Sequence, residues 1–450
     1  MMDHIINTKY SNLPDPVIYA AKTFILDTFS CALAGSNGPY AELALEAAKT
    51  WGQGQDARVW GKRDRLPAPS AAIINAYQIH CLEFDCVHEG GVLHPMSTIM
   101  AAAMAEIDSR ISKGVKTSGK ELILAISVGI DVSCSIALTS RSSMKFFRPA
   151  VVGGFGTTAT IGTLRQFEKD TLHNAFGLYY GQAGGNMQAH VEGSKMLGLQ
   201  VGFGARNALV ACDLAEHDID GPKDFLTGKY GYLELMEGQY ELEPTWSEWG
   251  QIFRLSEVGH KPFPSGRLTH FAIDALNRIM EENIFKIEEI KTVVCKVPPL
   301  PLRLVGRPHL KNKGPNYAKL CLKYICAALL IDKTINQKTF LECTIKRTDI
   351  ADLAKKVTVI PNDNTDLNAF GPQTIQIYMR NGNVYEEIVH HAIGDPLNPL
   401  PYERQLEKFW ESWHSAANTM PEVQAAKLLT LINDLENLDD TSLLINAMCP

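Results

Sequence analysis

The feature that most constrains the fold is a series of apolar segments with helical spacing that fills the first half of the chain. Residues 16–35 place Ala21 and Phe24 on one face, with Pro16 near the start and Gly35 at the end, where these residue types usually delimit helices. Similar segments cover 68–83, 97–110, 120–139, 157–166 and 171–183. Several are apolar on nearly every side, so we expect them to be the core helices of a large bundle.

The character of the sequence changes after Pro264. Residues 269–284 and 314–332 still have helical spacing, whereas 288–298, 355–363 and 373–392 are rich in β-branched residues and alternate as strands do. The pair Asn381-Gly382 inside the last run predicts a tight β-hairpin. The predicted fold class is therefore mainly α with a smaller α+β domain. We expect an all-helical domain over 1–265, the α+β domain over 266–395, and C-terminal helices over 396–450 that return to the helical domain.

Charge and composition exclude several classes of partner. A net charge of −7 does not suit general nucleic-acid binding, which needs a basic surface. The N-terminal residues lack the apolar core of a signal peptide, and no run of 18 apolar residues is uninterrupted, so no membrane span is expected. The ten scattered cysteines form no CxxC pair and are typical of buried, reduced thiols. The expected location is cytoplasmic.

Residues 80–98, HCLEFDCVHEGGVLHPMST, form the segment richest in potential chemistry. Acidic groups and imidazoles crowd into a loop that follows an Ala-rich helix, with Asp85, His88 and His94 as candidate catalytic residues. Asp85 is suited to orienting an imidazole, as a carboxylate does in a catalytic triad. The alternative interpretation is a polar loop that caps a helix.

No metal or cofactor is expected from the motifs. His88 and His94 are six residues apart, rather than the four that place two zinc ligands on one helical face. The segment GGFGTTA lacks the third glycine of a dinucleotide fingerprint and follows no predicted strand, so close helix packing explains its glycines better.

Three further segments carry cations and imidazoles among glycines and prolines. Arg148 precedes a glycine-rich turn that we expect to open the helix over 157–166, and its planar fork is suited to a substrate carboxylate. His190 and Lys195 lie together before a helix that we expect to begin near Gly202. For Arg148 and Lys195 the alternative is a solvated surface side chain.

The third of these segments is GHKPFPSGRLTH, residues 259–270, at the expected domain boundary. It presents Lys261, Arg267 and His270 on a rigid, non-helical backbone. Domain boundaries are common places for small-molecule sites, so these residues are candidates for an anion-binding wall. Cations aimed at a carboxylate stabilise the charge that develops when a neighbouring proton is removed.

Five motifs in order along the chain resemble the MmgE/PrpD family, which includes 2-methylcitrate dehydratase, cis-aconitate decarboxylase and iminodisuccinate epimerase. They are EFDCVHEGGVLHP, FRPAVVGGFGTTAT, GFGARNALVACDLA, HKPFPSGRLTHFAIDA, and the tail IYMRNGNVYEEIVHHAIGDPLNPLPYERQLEKFW. The resemblance implies a large helical domain with a smaller α+β domain, a site between the two that requires no metal, and a homodimer.

The resemblance also implies roles for single residues. Asp85, His94, Lys261 and His270 stand at positions that match the family's motifs. Four positions differ from the family's usual residues: Arg148 replaces a histidine, Leu197 a lysine, Gly266 a cysteine or histidine, and Cys86 an aspartate. His190, Lys195 and Arg267 are the candidates to replace the missing groups.

The leading hypothesis is a cofactor-independent hydro-lyase that eliminates water from a small di- or tricarboxylate. The predicted catalytic residues are Asp85, His88, His94, Lys195 and His270, and the predicted substrate-binding residues are Arg148, His190, Lys261 and Arg267. The alternatives are an epimerase, an isomerase or a decarboxylase of the same family, or a binding protein without enzymatic activity.

Overall fold

A computed structural model describes residues 1–450 and divides them into two compact units. The helical unit consists of Met1–Met187, Gly198–Val258 and Tyr402–Pro450, and the α+β unit of Gln188–Leu197 and Gly259–Pro401.

The α-helices are numbered along the chain. They are α1 Met2–Asn7, α2 Asp15–Ser36, α3 Ala41–Lys49, α4 Ala68–His80, α5 Pro95–Ile111, α6 Gly119–Leu138, α7 Arg148–Leu164, α8 Lys169–Tyr180, α9 Gln188–Glu192, α10 Met196–Glu216, α11 His270–Glu282, α12 Pro299–Val305, α13 Pro315–Ala318, α14 Leu322–Asp332, α15 Glu342–Ile345, α16 Thr348–Ala354, α17 Tyr402–His414, α18 Glu422–Asn433 and α19 Ser442–Ala447. The strands are β1 Ala57–Arg58, β2 Arg65–Leu66, β3 Ile290–Val297, β4 Val357–Pro361, β5 Gln373–Met379 and β6 Val384–Val389.

The core of the helical unit is formed by α4, α5, α6 and α7, which pack against one another. Nearly every side chain of α5 and α6 is buried, as the absence of a polar face predicts. Helix α2 packs on α4, and α17 packs on α2, so the C-terminal helices belong to this unit. The protein is thus mainly helical with a smaller α+β part, as expected from the sequence.

The prediction of a glycine-rich turn after Arg148 is wrong. Helix α7 begins at Arg148 and continues through the glycines to Leu164. A Cβ on Gly154 would lie 1.9 Å from the hydroxyl oxygen of Tyr179, so glycine is required there for the close approach of α8. Helix α10 begins at Met196, earlier than expected, and the hydroxyl of Ser194 accepts from the backbone N–H of Met196 at the helix start.

Two helices, α2 and α6, are long and apolar enough to cross a membrane by length and composition alone. Most of each apolar stretch is buried inside the protein, as in the core helices of a soluble bundle. Length and composition are therefore weak evidence for a span in this chain.

The α+β unit contains a four-stranded sheet with the order β4-β3-β5-β6. Strands β3 and β4 are parallel, and the other two pairs are antiparallel. The Asn381-Gly382 turn joins β5 to β6, with Gly382 at φ 93°, so the predicted hairpin is confirmed. Helix α11 packs on β5 and β6, and α14 packs on β4 and on α11.

The unit boundaries differ slightly from the sequence-based expectation. The chain changes unit after Val258 and again after Pro401, a few residues from the expected positions. The excursion Gln188–Leu197, which carries His190 and Lys195, belongs to the α+β unit, although the sequence assigns it to the helical domain. Its contacts with distant residues such as Arg307 and Asn316 explain the difference.

Candidate active site

The candidate site in the helical unit is the loop between α4 and α5. A pair of backbone hydrogen bonds between His88 and Leu93 closes the loop into a tight hairpin. Glu83 and Val92 have φ values of 53° and 54°, a conformation that costs energy for residues other than glycine. The loop ends at His94, directly before α5, so both ends of the loop are fixed to core helices.

The carboxylate of Asp85 lies close to two imidazoles. Nδ1 of His80 is 3.0 Å from Oδ2 and 3.1 Å from Oδ1 of Asp85, and Nδ1 of His94 is 3.4 Å from Oδ2. The side chains of His80 and Asp85 are each 1% exposed, whereas that of His94 is 14% exposed. The buried carboxylate thus connects a buried imidazole to one that is partly exposed.

A backbone contact sets the tautomer of His94. Its Nδ1 lies 3.0 Å from the carbonyl oxygen of Cys86, which can only accept, so Nδ1 carries the ring proton. In the neutral ring, Nε2 then carries the lone pair and is the basic nitrogen. The rings of His80 and His94 meet edge to face, with centroids 4.8 Å apart.

Sequence reasoning did not single out His80. It lies at the C-terminal end of α4, five positions before Asp85, in a stretch of otherwise apolar or amide side chains. A polar ring at the end of an apolar helix that leads into an acidic loop was the available signal. Glu83 lies 3.6 Å from Nε2 of the same histidine and completes the polar cluster.

The thiol of Cys86 has no acid–base role at this position. Burial raises the pKa of Cys86 well above its ordinary value, and the charges of Asp27 and Asp85 act in the same direction. The side chain therefore remains a neutral thiol that packs in the core.

A buried ion pair between Lys408 and Asp27 supports the loop between α4 and α5. Nζ of Lys408, on α17, lies 2.7 Å from Oδ1 of Asp27 and donates to the carbonyl oxygen of Phe84 at 2.7 Å. Burial acts to lower the pKa of Lys408, but the charges of Asp27 and Cys31 and the hydrogen bonds with these two side chains together outweigh it, so the pKa is raised. The charged ammonium group therefore fixes the peptide that precedes Asp85.

His88, a predicted catalytic residue, uses its ring to hold the loop in place. Its Nδ1 accepts the backbone N–H of Gly91, and its Nε2 lies 3.0 Å from Oε2 of Glu257. Both ring nitrogens are thus used to hold the hairpin and to connect it to the segment Arg254–Glu257. The residue is 2% exposed, and its predicted catalytic role stays a prediction.

Arg148, predicted to bind a substrate carboxylate, binds an internal one. Its Nε and Nη2 form a fork with the two carboxylate oxygens of Glu237 at 3.1 and 3.2 Å, and both side chains are almost completely buried. The hydroxyl of Tyr232 donates to the same carboxylate at 2.7 Å, and burial raises the pKa of Tyr232, so that it retains this proton. The pair joins the start of α7 to the π-helical turn Leu233–Glu237.

In the α+β unit, Arg267 and His270 form hydrogen bonds with backbone carbonyl groups. Arg267 donates to the carbonyl oxygens of Ile393 and Ala392 at 2.7 and 2.9 Å. Nε2 of His270 lies 3.2 Å from the carbonyl oxygen of Ser265. Lys261 of the same segment is completely buried. The anion-binding wall expected here therefore has two members with clear structural functions, and its role in binding stays a prediction.

His190 and Lys195 lie on the excursion Gln188–Leu197. Nη2 of Arg307 lies 2.7 Å from Nδ1 of His190 and Nη1 donates to its carbonyl oxygen at 2.8 Å. Because guanidinium can only donate, Nδ1 accepts and the neutral ring carries its proton on Nε2. Arg307 was missed in the sequence because it is 117 residues away. Lys195 is exposed.

Comparison with known proteins agrees with the family motifs. The model of the MmgE/PrpD N-terminal domain matches residues 1–245, and that of the MmgE/PrpD C-terminal domain matches residues 263–436. The cis-aconitate decarboxylase of Homo sapiens is 26% identical over 457 residues, which cover 98% of this chain and 92% of that protein. The enzyme of the same name from Aspergillus terreus is 25% identical, with 99% and 94% covered. The cis-aconitate decarboxylase-like protein oryM of Aspergillus oryzae is 27% identical, with 97% and 93% covered.

Proposed function

The chain belongs to the MmgE/PrpD family, and from this premise we propose that it is a cofactor-independent lyase that releases CO₂ from a small tri- or dicarboxylate. The observation that carries the proposal is the buried carboxylate of Asp85, whose Oδ2 lies close to the imidazoles of both His80 and His94. Decarboxylation needs a group that delivers a proton to carbon in a water-poor site, and this arrangement supplies one.

The proposed reaction balances with one proton. The bond between a carboxylate carbon and the substrate skeleton breaks, and CO₂ leaves. The electron pair moves into the skeleton, where a conjugated carboxylate accepts it, and protonated His94 delivers a proton to carbon from Nε2. Asp85 stabilises the imidazolium form before transfer and orients the ring, the same task that a carboxylate performs in a catalytic triad.

The names of the full-length relatives support the choice of CO₂ release over loss of water. The curated relatives are named cis-aconitate decarboxylases or decarboxylase-like, and each alignment covers more than nine-tenths of both proteins. The substrate-binding roles of His190 and Lys261 and the catalytic role of Lys195 stay predictions. Arg148 is left out of the substrate-binding residues because its fork is held by Glu237.

Elimination of water, the reaction expected from the motifs, is the second candidate. Two imidazoles on one carboxylate can act as a base and an acid, and dehydration needs both, one to remove a proton and one to protonate the leaving hydroxyl. The same groups would then work on a hydroxy acid such as 2-methylcitrate.

The test is proton NMR of the purified protein in D₂O, with a coupled assay for CO₂. The panel is cis-aconitate, 2-methylcitrate, citrate and iminodisuccinate. Release of CO₂ with one deuteron incorporated per product molecule is expected for cis-aconitate or a close analogue. New vinylic signals from a hydroxy acid without CO₂ would favour the hydro-lyase, and exchange of an α-proton with an intact skeleton would favour an epimerase.

Matched variants connect the activity to the site. His94→Gln and Asp85→Asn are expected to lower kcat by about 10²–10⁴-fold, the usual contribution of a positioned acid or base. His414→Gln, which changes an exposed histidine on α17, is expected to retain wild-type activity. The proposal would be overturned if the wild-type protein converted no compound of the panel, or if His94→Gln retained full activity.

A further inference from the structure

We propose that His80, Asp85 and His94 also form a binding site for one divalent transition-metal ion of the zinc type, and that the bound ion blocks proton transfer. The binding itself goes beyond the proposed function and stands without it. Only the second part, inhibition, rests on the proposed catalytic role of His94.

The donor set fits such an ion. Two imidazole nitrogens and one carboxylate oxygen are ligands that suit zinc and cobalt, and one ligand atom from each residue lies within 4.8 Å of the other two. The sequence could not indicate this set, because the histidine pair that it presents is His88 and His94. In the structure, His80 rather than His88 lies close to His94 and Asp85.

The distances between the ligand atoms are close to those of a metal centre. Bonds of about 2.0–2.2 Å in tetrahedral geometry place neighbouring ligand atoms roughly 3.3–3.5 Å apart. Oδ2 of Asp85 lies 3.0 Å from Nδ1 of His80 and 3.4 Å from Nδ1 of His94. The two contacts to Asp85 therefore need to change by only a few tenths of an ångström, and the ligand nitrogens of the two imidazoles lie within 4.8 Å of each other.

The surroundings favour a three-ligand site that keeps a position for solvent. Asp85 compensates part of the charge of the ion in a buried location, where an uncompensated charge is costly. His94 is the member with an exposed edge, and an ion enters past it.

Coordination removes the basic nitrogen that the reaction needs. In the metal-free protein Nδ1 of His94 donates to the carbonyl of Cys86 and Nε2 carries the lone pair. A metal ion on Nδ1 displaces this hydrogen bond and leaves the ring proton on Nε2, so Nε2 no longer accepts a proton. The metal-bound protein is therefore unable to use His94 as an acid–base group.

The experiment is titration of the chelator-treated, full-length protein with Co²⁺, followed by its visible absorption, and then displacement by Zn²⁺. One Co²⁺ per chain is expected. His80→Gln and His94→Gln are expected to weaken binding by more than about 100-fold, because loss of a direct ligand exceeds the ~10–100-fold effect of an outer-shell partner. His414→Gln is the control and is expected to bind as the wild type does.

A second measurement does not depend on the folding of variants. X-ray absorption of the zinc-loaded wild-type protein is expected to show two imidazoles with oxygen ligands and no sulfur. Sulfur ligands, or unchanged Co²⁺ binding by both histidine variants with wild-type circular dichroism, would overturn the site. Zn²⁺ is expected to inhibit turnover with a half-maximal concentration equal to its dissociation constant. Binding without inhibition would contradict the role of His94 in the reaction and leave the metal site standing.

Discussion

Lys408 and Asp27 form a buried ion pair, 2.7 Å from Nζ to Oδ1, that connects the C-terminal helix α17 to α2. The same ammonium group donates to the carbonyl of Phe84, the residue before Asp85. The geometry of the proposed catalytic carboxylate thus depends on a lysine from the last fifth of the chain.

Removing this lysine is expected to affect both stability and catalysis. Lys408→Met leaves Asp27 charged and buried, so the free energy of unfolding in urea is expected to fall by about 3–5 kcal/mol. In the folded protein, kcat is expected to fall more than KM changes, because the Phe84–Asp85 peptide loses its anchor. Lys408→Arg, which keeps the charge, should restore part of kcat.

The double variant Lys408→Met/Asp27→Leu separates the two effects. Without an unpaired charge, most of the lost stability is expected to return, while kcat remains low. If kcat returned together with stability, the lysine would have no positioning role.

Arg148→Met tests whether Arg148 binds a substrate carboxylate, as predicted from the sequence, or only the carboxylate of Glu237. The change leaves Glu237 buried without its partner and is expected to lower the free energy of unfolding by about 3–5 kcal/mol. The KM of the folded enzyme is expected to change less than twofold, because the guanidinium binds an internal carboxylate. A large increase in KM at unchanged stability would reinstate Arg148 as a substrate contact.

The hydrogen bond between His88 and Glu257 predicts a dependence of stability on pH. Burial acts to raise the pKa of Glu257, but the hydrogen bond from His88 and the charge of Arg254 outweigh it, so the pKa is lowered from its ordinary value of 4.5. A carboxyl group with a lowered folded-state pKa contributes stability above pH 4.5, and loses it as the pH falls through the lowered pKa.

The measurement is urea unfolding of wild type and Glu257→Gln at a series of pH values. The difference between the two is expected to be largest above pH 4.5 and to shrink towards zero in stronger acid. Glu422→Gln, in the exposed pair with His414, should differ little from wild type at any pH. A difference for Glu257→Gln that is constant with pH would contradict the linkage.

Gly154→Ala tests the close approach of α7 and α8. The added Cβ would lie 1.9 Å from the hydroxyl oxygen of Tyr179, whose hydrogen bonds to Ala150 and Val151 prevent it from moving freely. The thermal midpoint is expected to fall, and the free energy of unfolding is expected to decrease by about 1–3 kcal/mol. Gly181→Ala, where the nearest atom would be 3.6 Å away, should stay within about 0.5 kcal/mol of wild type.

The sequence by itself determined the elements and the loop of the proposed active site. The spacing of apolar residues in α2, α5 and α6, the alternation in β3, and the Asn381-Gly382 turn are signals between residues near each other in the chain, so they can be read without the fold. The acidic loop with Asp85 and His94 was identified for the same reason. The glycines of α7 misled the prediction because close packing and tight turns use the same residue type.

Only the tertiary structure decided which polar groups meet. Arg148 binds Glu237 across 89 residues, His88 meets Glu257 across 169, and Lys408 reaches Phe84 across 324. Even His80, five residues from Asp85, could not be assigned, because the direction in which α4 delivers its last side chain depends on how the helix packs. The residues next to a charged or imidazole side chain in the sequence do not indicate its partner. Burial decides whether such a side chain binds substrate or protein, and burial is a property of the packed chain.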